Sequence, residues 1–301
     1  MSTKLNAIQS VVQEAGPSLT EEQAAQLLVY YELLTEKNKV MNLTAVTEFD
    51  DVIRKHFGDS LTLMRAVDPE SVKVVLDIGT GAGFPGIPLA IAYPHMQFLL
   101  MDSLNKRIGF LNEVIAELGL KNVKTVHARA EDLAGQTAYR ESFDLVVSRA
   151  VANLSTLSEY ALPYVNRGGR FVSYKSIRTD EELEAASGAI RLLGGETERI
   201  VRFHLYDMDR SLIVIRKERP TPEIYPRKAG MPAREPLGMA KPREKNAKKP
   251  LGKTAKPHEK ATAKTAGKTA GKTAGKPVGK KHNPIREPNQ KQVKRTAKVK
   301  G

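Results

Sequence analysis

Apolar positions recur at helical spacing through the first 67 residues and then give way to short apolar runs separated by amphipathic stretches. Leu5, Ile8, Val12 and Ala15 share one helical face, which stops at Gly16-Pro17. Thr20 with Gln23 three residues on has the form of a capping box, ahead of the stripe Ala24, Leu27, Leu28, Tyr31 and Leu34. Residues 1–70 are therefore read as a helical lobe. From Val72, the runs at 72–78, 97–101, 123–128, 143–147 and 170–174 read as strands. Leu104, Ile108, Leu111, Ile115 and Leu118 mark a helix between two of them, ending at Gly119 where a C′ glycine is expected. The alternation predicts an α/β fold: a doubly wound, Rossmann-like sheet, mostly parallel, with helices on both faces. The last runs, 198–205 and 211–216, are only five residues apart, too close for a parallel crossover, so the last strand is antiparallel. Residues 71–218 form the main domain on this reading.

Beyond it the composition changes. Pro220, Pro222, Pro226, Pro232 and Pro236 make 219–238 a Pro-rich C-terminal segment of the core, and Thr-Ala-Gly-Lys then repeats across 265–276. Of the 48 Lys and Arg residues, 20 fall in 239–301 against 3 acidic residues there, so the net charge of +14 belongs to a tail. Such a stretch has too little apolar surface to offset its ordering entropy, which predicts a disordered basic tail over 239–301. Within it, the run from Gly267 to Thr273 imitates a P-loop but has three residues between its glycines instead of four, and no strand before it.

The absence of cysteine excludes disulfides, Cys-ligated zinc, iron–sulfur clusters and any thiolate nucleophile. The first residues lack an apolar secretion core and no run approaches eighteen uninterrupted apolar residues, so a cytoplasmic protein that does not span a membrane is expected. The histidines at 95, 127, 204, 258 and 282 are scattered, and no spacing suggests a metal site.

The sharpest chemical signal is the buried strand Val74-Val75-Leu76-Asp77-Ile78 running into Gly79-Thr80-Gly81-Ala82-Gly83-Phe84-Pro85-Gly86, a glycine turn before a Pro-started helix. Glycines let a ligand approach the backbone closely. Gly81, Gly83 and Gly86 also satisfy a dinucleotide fingerprint, with Asp102 placed 19 residues past Gly83 to bind a ribose. Three features favour S-adenosylmethionine over a nicotinamide cofactor. Asp77 is an acid beside the glycines, suited to a cationic ligand. Ala130-Glu131-Asp132 follows the third strand, where adenine contacts fall, although such acids also simply open helices. The final hairpin replaces a second mononucleotide-binding half.

The chain resembles the small-subunit ribosomal RNA guanine-N7 methyltransferases, the RsmG (GidB) family, over residues 5–238. The resemblance rests on Asn42-Leu43-Thr44, His56-Phe57-Gly58-Asp59-Ser60, the glycine turn with Asp77, Asp102-Ser103 with Lys106-Arg107, Arg129-Ala130-Glu131, Ser148-Arg149-Ala150-Val151-Ala152 and Tyr225-Pro226-Arg227-Lys228-Ala229-Gly230. It implies a class I methyltransferase fold, cofactor contacts at Gly79, Phe84, Ala130, Glu131 and Arg149, and a target guanine in the 530 loop of 16S rRNA, guanine-527. With the residue reading, the expected cofactor set is Asp77, Gly79, Gly81, Phe84, Asp102, Ala130, Glu131 and Arg149, with Arg149 also catalytic. The expected partner is 16S rRNA or the small ribosomal subunit, met by a monomer with no metal and no membrane. The missing Cys excludes attack on pyrimidine carbon-5, and Ser148-Arg149-Ala150-Val151 differs from the Asn/Asp-Pro-Pro-aromatic pattern of adenine-N6 enzymes. Guanine N7 is itself a lone-pair nucleophile and needs no general base. Arg149 is alternatively the ion-pair partner of Glu131 or Asp132, and His56 and Asp59 could serve only lobe packing. A nicotinamide oxidoreductase and a non-catalytic RNA-binding protein remain the alternatives.

Overall fold

The computed structural model describes residues 2–149, 152–176 and 179–238. The tail beyond Gly238, with its expected disorder, lies outside these residues. Among them, α1 (Ser2–Ala15) and α2 (Glu21–Met41) open the chain. Thr20 and Gln23 form the complete capping box, each side chain accepting the other's backbone N–H. The buried stripe on α2 runs Ala24, Leu27, Leu28, Tyr30 and Leu34. Tyr30, not the expected Tyr31, is its aromatic member, because the face that meets the glycine turn is the one carrying Tyr30. α3 (Phe49–Val52), a π-helical turn (Ile53–Gly58) and α4 (Asp59–Leu61) follow without a break. Wide π turns often re-aim side chains at functional sites, and this one carries Lys55 and His56.

The parallel strands are β1 (Val74–Ile78), β2 (Gln97–Asp102), β3 (Val123–His127), β4 (Phe143–Arg149) and β5 (Val165–Ser176). The hairpin is β6 (Gly195–Leu205) and β7 (Met208–Lys217). The sheet order is β3-β2-β1-β4-β5-β7-β6, with β7 antiparallel to both neighbours. The hairpin strands are longer than the apolar runs suggest, and the turn shrinks to Tyr206 and Asp207, with Tyr206 at φ 58°. The remaining helices are α5 (Gly86–Ala92), α6 (Asn105–Glu117), α7 (Ala130–Leu133), α8 (Leu154–Ala161), α9 (Asp180–Leu192) and α10 (Met231–Arg234). α6 ends as expected, with Gly119 left-handed at φ 63°.

Two apolar clusters cover the two sheet faces. One joins α1, α2, α5 and α6 to the sheet, so the N-terminal helices share the sheet's core; the other joins α7, α8 and α9. Strand order reverses between β1 and β4, which opens a crevice at their C-terminal ends where ligands bind in doubly wound sheets. The Pro-rich segment returns across α8. Arg140 donates to the carbonyls of Thr221 at 2.8 Å and Tyr225 at 3.0 Å, and Arg227 meets Glu159 at 2.6 Å.

Candidate functional site

The glycine turn joins β1 to α5, and its conformation explains its residues. Gly79 and Gly81 lie at φ 69° and 64°, a region that L side chains rarely adopt. Gly86 is required by proximity: a Cβ there would meet Asp77 Oδ2 at 2.8 Å. Six of the turn's N–H groups are turned inward. Gly79 and Thr80 donate to Met101 O, Gly83 and Phe84 to Thr80 O, Gly81 to Asp102 Oδ2, and Gly86 to Asp77 Oδ2. A pyrophosphate needs such donors free and no carboxylate beside them, so this turn is ill suited to a dinucleotide.

Asp102 ends β2 and is buried, and it is also bound by Arg107 at 3.1 Å and by Leu104 N–H at 2.9 Å. Asp77 is fully buried beneath the turn, and burial pushes its carboxyl up to about 7 against the lowering effect of Thr80 and Gly86.

Two cavities adjoin over this turn. The first, about 270 Å³, has apolar walls from Ile78, Met101, Ala128 and Ala130, with Glu131, Tyr160 and Gly230 at its margin. The second, about 390 Å³, is polar, lined by Thr44, His56, Thr80, Gly81, Phe84 and Arg149 among others. They share Gly79, Asp102 and Ser103. A flat apolar ring suits the first, a ribose suits Asp102 between them, and a charged amino-acid end suits the second. S-adenosylmethionine has these three parts in that order.

The structure thus brings together seven of the eight expected cofactor residues, and leaves Asp77 outside both linings. Glu131 and Asp132 do open a helix, α7, yet Glu131 also accepts the Gly230 N–H at 2.8 Å. Tyr160 and Gly230 were not expected in the site. Gly230 closes a motif quoted for the family resemblance, but no local pattern carries its role, and α8 presents Tyr160 only once folded.

Arg149, at the end of β4, pairs with Asp59 Oδ2 at 3.0 Å and donates to Lys55 O at 3.3 Å; neither Glu131 nor Asp132 is its partner. Its guanidinium lies 5.0 Å from the Phe84 ring centroid. His56 stacks on the same ring at 4.5 Å and contacts Thr44 Oγ1 at 2.8 Å. Burial, and then the Arg149 charge, lower the His56 pKa to about 4, so its ring is neutral at pH 7. Asp59 also binds Arg210 Nε at 2.8 Å, placing one buried carboxylate between two guanidinium groups. Across Arg149 and His56 lies a third cavity, about 550 Å³, lined also by Lys55, Asp59, Tyr174, Lys175 and Arg210. Among the described residues, no group of three or more His, Asp or Glu could hold a metal ion, and no helix is long and apolar enough to cross a membrane.

A family model described as rRNA small subunit methyltransferase G matches residues 23–213. A Ribosomal RNA small subunit methyltransferase G from Lachnoclostridium phytofermentans is 54% identical over 224 residues, covering 74% of this chain and 93% of that protein. Its namesake from Brevibacillus brevis is 48% identical over 229 residues, covering 75% of this chain and 96% of that protein. Among solved structures, TrmN from Thermus thermophilus aligns with a TM-score of 0.42 and 18% identity over 55% of this chain and 53% of that one.

Proposed function

The chain belongs to the rRNA small subunit methyltransferase G family, which uses S-adenosylmethionine, and from that membership we propose that it methylates N7 of a guanine in 16S rRNA, guanine-527 of the 530 loop. The observation that carries this reading is the meeting of the polar second cavity and the third cavity at Arg149 and His56, where the two lining carboxylates, Asp102 and Asp59, are already paired with guanidinium groups. His56 has too low a pKa to serve as a base near pH 7, and Arg149 is held by Asp59. Guanine N7 presents a lone pair and loses no proton, so alignment and charge complementarity suffice.

In this reading Gly79, Ala130 and Glu131 hold the adenosine end of the cofactor, Asp102 accepts from the ribose hydroxyls, and Gly81, Phe84 and Arg149 line the amino-acid end. Bound there, S-adenosylmethionine supplies a methyl group on a positively charged sulfur. Asp77 acts from beneath by fixing Gly86. The third cavity receives the guanine, with Tyr174 as an aromatic wall and Lys175 and Arg210 as cations for the base edge and backbone. Arg149 is the catalytic residue: its fork orients the guanine through O6, and Asp59 offsets its charge as the base becomes cationic. We read the protein as acting as a monomer, and the ribosomal substrate supports a cytoplasmic address.

Labelled methyl transfer to naked 16S rRNA, to an assembly intermediate and to the finished small subunit, followed by nuclease mapping, tests the reading. The expected product is a single 7-methylguanine at position 527, with a single-turnover rate flat from about pH 6 to 8.5. Arg149→Ala slows the transfer and leaves the fold intact. A methylated exocyclic amine, or a bell-shaped profile for the chemical step, overturns the assignment.

A further inference from the structure

The Pro-rich segment touches the site at one residue, Gly230, which forms part of the wall of the first cavity. Gly230 lies at φ 81°, and a Cβ on it would meet nothing within 4 Å. Its N–H is donated to Glu131 Oε1 at 2.8 Å, across 99 residues of sequence. Glu131 is therefore a joint between α7 and the C-terminal segment. What holds the segment at that joint is a buried charge pair three residues earlier. Glu159 on α8 has no exposed surface, and its two oxygens accept from Arg227 Nη2 at 2.6 Å, Arg227 Nε at 2.9 Å and the Arg227 backbone N–H at 2.8 Å. The same guanidinium donates to Glu235 O at 2.8 Å, closing the loop that contains Gly230 on itself. The next residue on α8, Tyr160, lines the cavity. One turn of α8 thus supplies both the anchor of the segment and a wall of the cavity.

We propose that Arg227 is a positioning residue for the cofactor: by its fork on Glu159 it seats Gly230 against Glu131 and completes the first cavity. The proposal rests on the reading that this cavity holds the adenosine end of S-adenosylmethionine. A buried carboxylate that loses its partner is strongly unfavourable, so Glu159 cannot remain in place without Arg227. A planar bidentate fork specifies direction as well as charge, which a lysine ammonium cannot reproduce. Without the fork, the α8 hydroxyls of Thr156 and Ser155 still hold the segment at Pro232 O and Leu237 O, but nothing fixes residue 227, and Gly230 shifts away from Glu131, which loses that donor at the cavity margin.

Arg227→Lys and the paired Glu159→Met/Arg227→Met variant, which leaves no unpaired charge, are compared with wild type after thermal melts verify folding. The expected result is an S-adenosylmethionine KM raised by about tenfold in both, with kcat at saturating cofactor within about twofold. A purely structural role would lower kcat through loss of active protein and leave KM unchanged, and that outcome overturns the proposal. Hydrogen exchange on the wild-type protein supplies a measurement that needs no variant: S-adenosylmethionine slows exchange of the amides of residues 227–231. Unchanged exchange there overturns it too. Ala128→Phe, which fills the first cavity, separates the two readings. If it leaves cofactor affinity intact, the placement of the cofactor is wrong; if it abolishes affinity while both Arg227 variants bind normally, only the role of Arg227 is.

Discussion

Asp77 and His56 are perturbed in opposite senses, and the signs of their effects on stability differ. Asp77 is raised by burial from 3.8 to about 7. Between those values the unfolded chain has released the proton and the folded chain keeps it, so this group's contribution falls as pH rises and levels off above pH 7. His56 is lowered, chiefly by burial, from 6.5 to about 4. Its contribution is present above the unfolded value and is lost as pH falls through the folded one. The two slopes oppose one another in the wild type and are exposed only by substitution. Asp77→Asn is expected to gain stability relative to wild type as pH rises from about 5 to 7, by at most about 1.4 kcal/mol per pH unit. Urea unfolding of both proteins across that range checks it. A difference independent of pH would mean that Asp77 is ionised in the fold. At Asp102 the test is binding. Asp102→Ala removes the carboxylate proposed to accept from the ribose hydroxyls and is expected to weaken S-adenosylmethionine binding by about 1.5 to 3 kcal/mol in isothermal titration. Equal affinities, or tighter binding of NADH, contradict the role given to it.

Among elements that line none of the cavities, α2 braces the glycine turn directly. Tyr30 is fully buried, stacks 5.5 Å from Phe57, lies 5.5 Å from Phe84, and donates its hydroxyl to Ala82 O at 2.5 Å. The N-terminal helices thereby fix the glycine turn from behind. Tyr30→Phe leaves the Ala82 carbonyl without that donor, and the expected loss of stability is about 1 to 3 kcal/mol, read as a lower urea midpoint at unchanged slope. A neutral result would mean that ring packing alone holds the turn. The existence of α2 and its capping box were legible because both depend on residues three or four apart. Which of Tyr30 and Tyr31 faces inward was not, since both fit an apolar stripe and the choice rests on what α2 meets.

For the whole molecule, charge is distributed unevenly: 20 Lys and Arg residues lie beyond Gly238, while the chain before it has 28 basic and 31 acidic residues. A basic segment of this kind releases counterions from RNA without reading a base. Removing residues 239–301 is expected to leave folding and cofactor affinity unchanged, since the seven-stranded sheet of the described residues and the glycine turn precede them. RNA affinity should fall and become less sensitive to salt. Each single-stranded phosphate contact contributes about 0.7 to the slope of log affinity against log salt, so five contacts change it by about 3.5. Parallel plots of equal affinity for the full-length and truncated proteins would show that the tail does not engage this RNA.

The sequence by itself determined the sheet, the glycine turn and the antiparallel hairpin. Each follows from short-range rules: strand and helix periodicity, capping, the sign of φ at a glycine, and the minimum length of a parallel crossover. Tertiary structure alone decided the partners of the charged side chains. Arg149 meets Asp59 from 90 residues away, Arg227 meets Glu159 from 68, and Gly230 reaches Glu131 across 99. Burial makes such pairings stringent, because a desolvated charge must find an opposite charge or a donor within hydrogen-bonding distance. Which one it finds depends on the faces that α8, the π-helical turn and the Pro-rich segment present once the sheet has brought them together, and spacing along the chain carries no record of that.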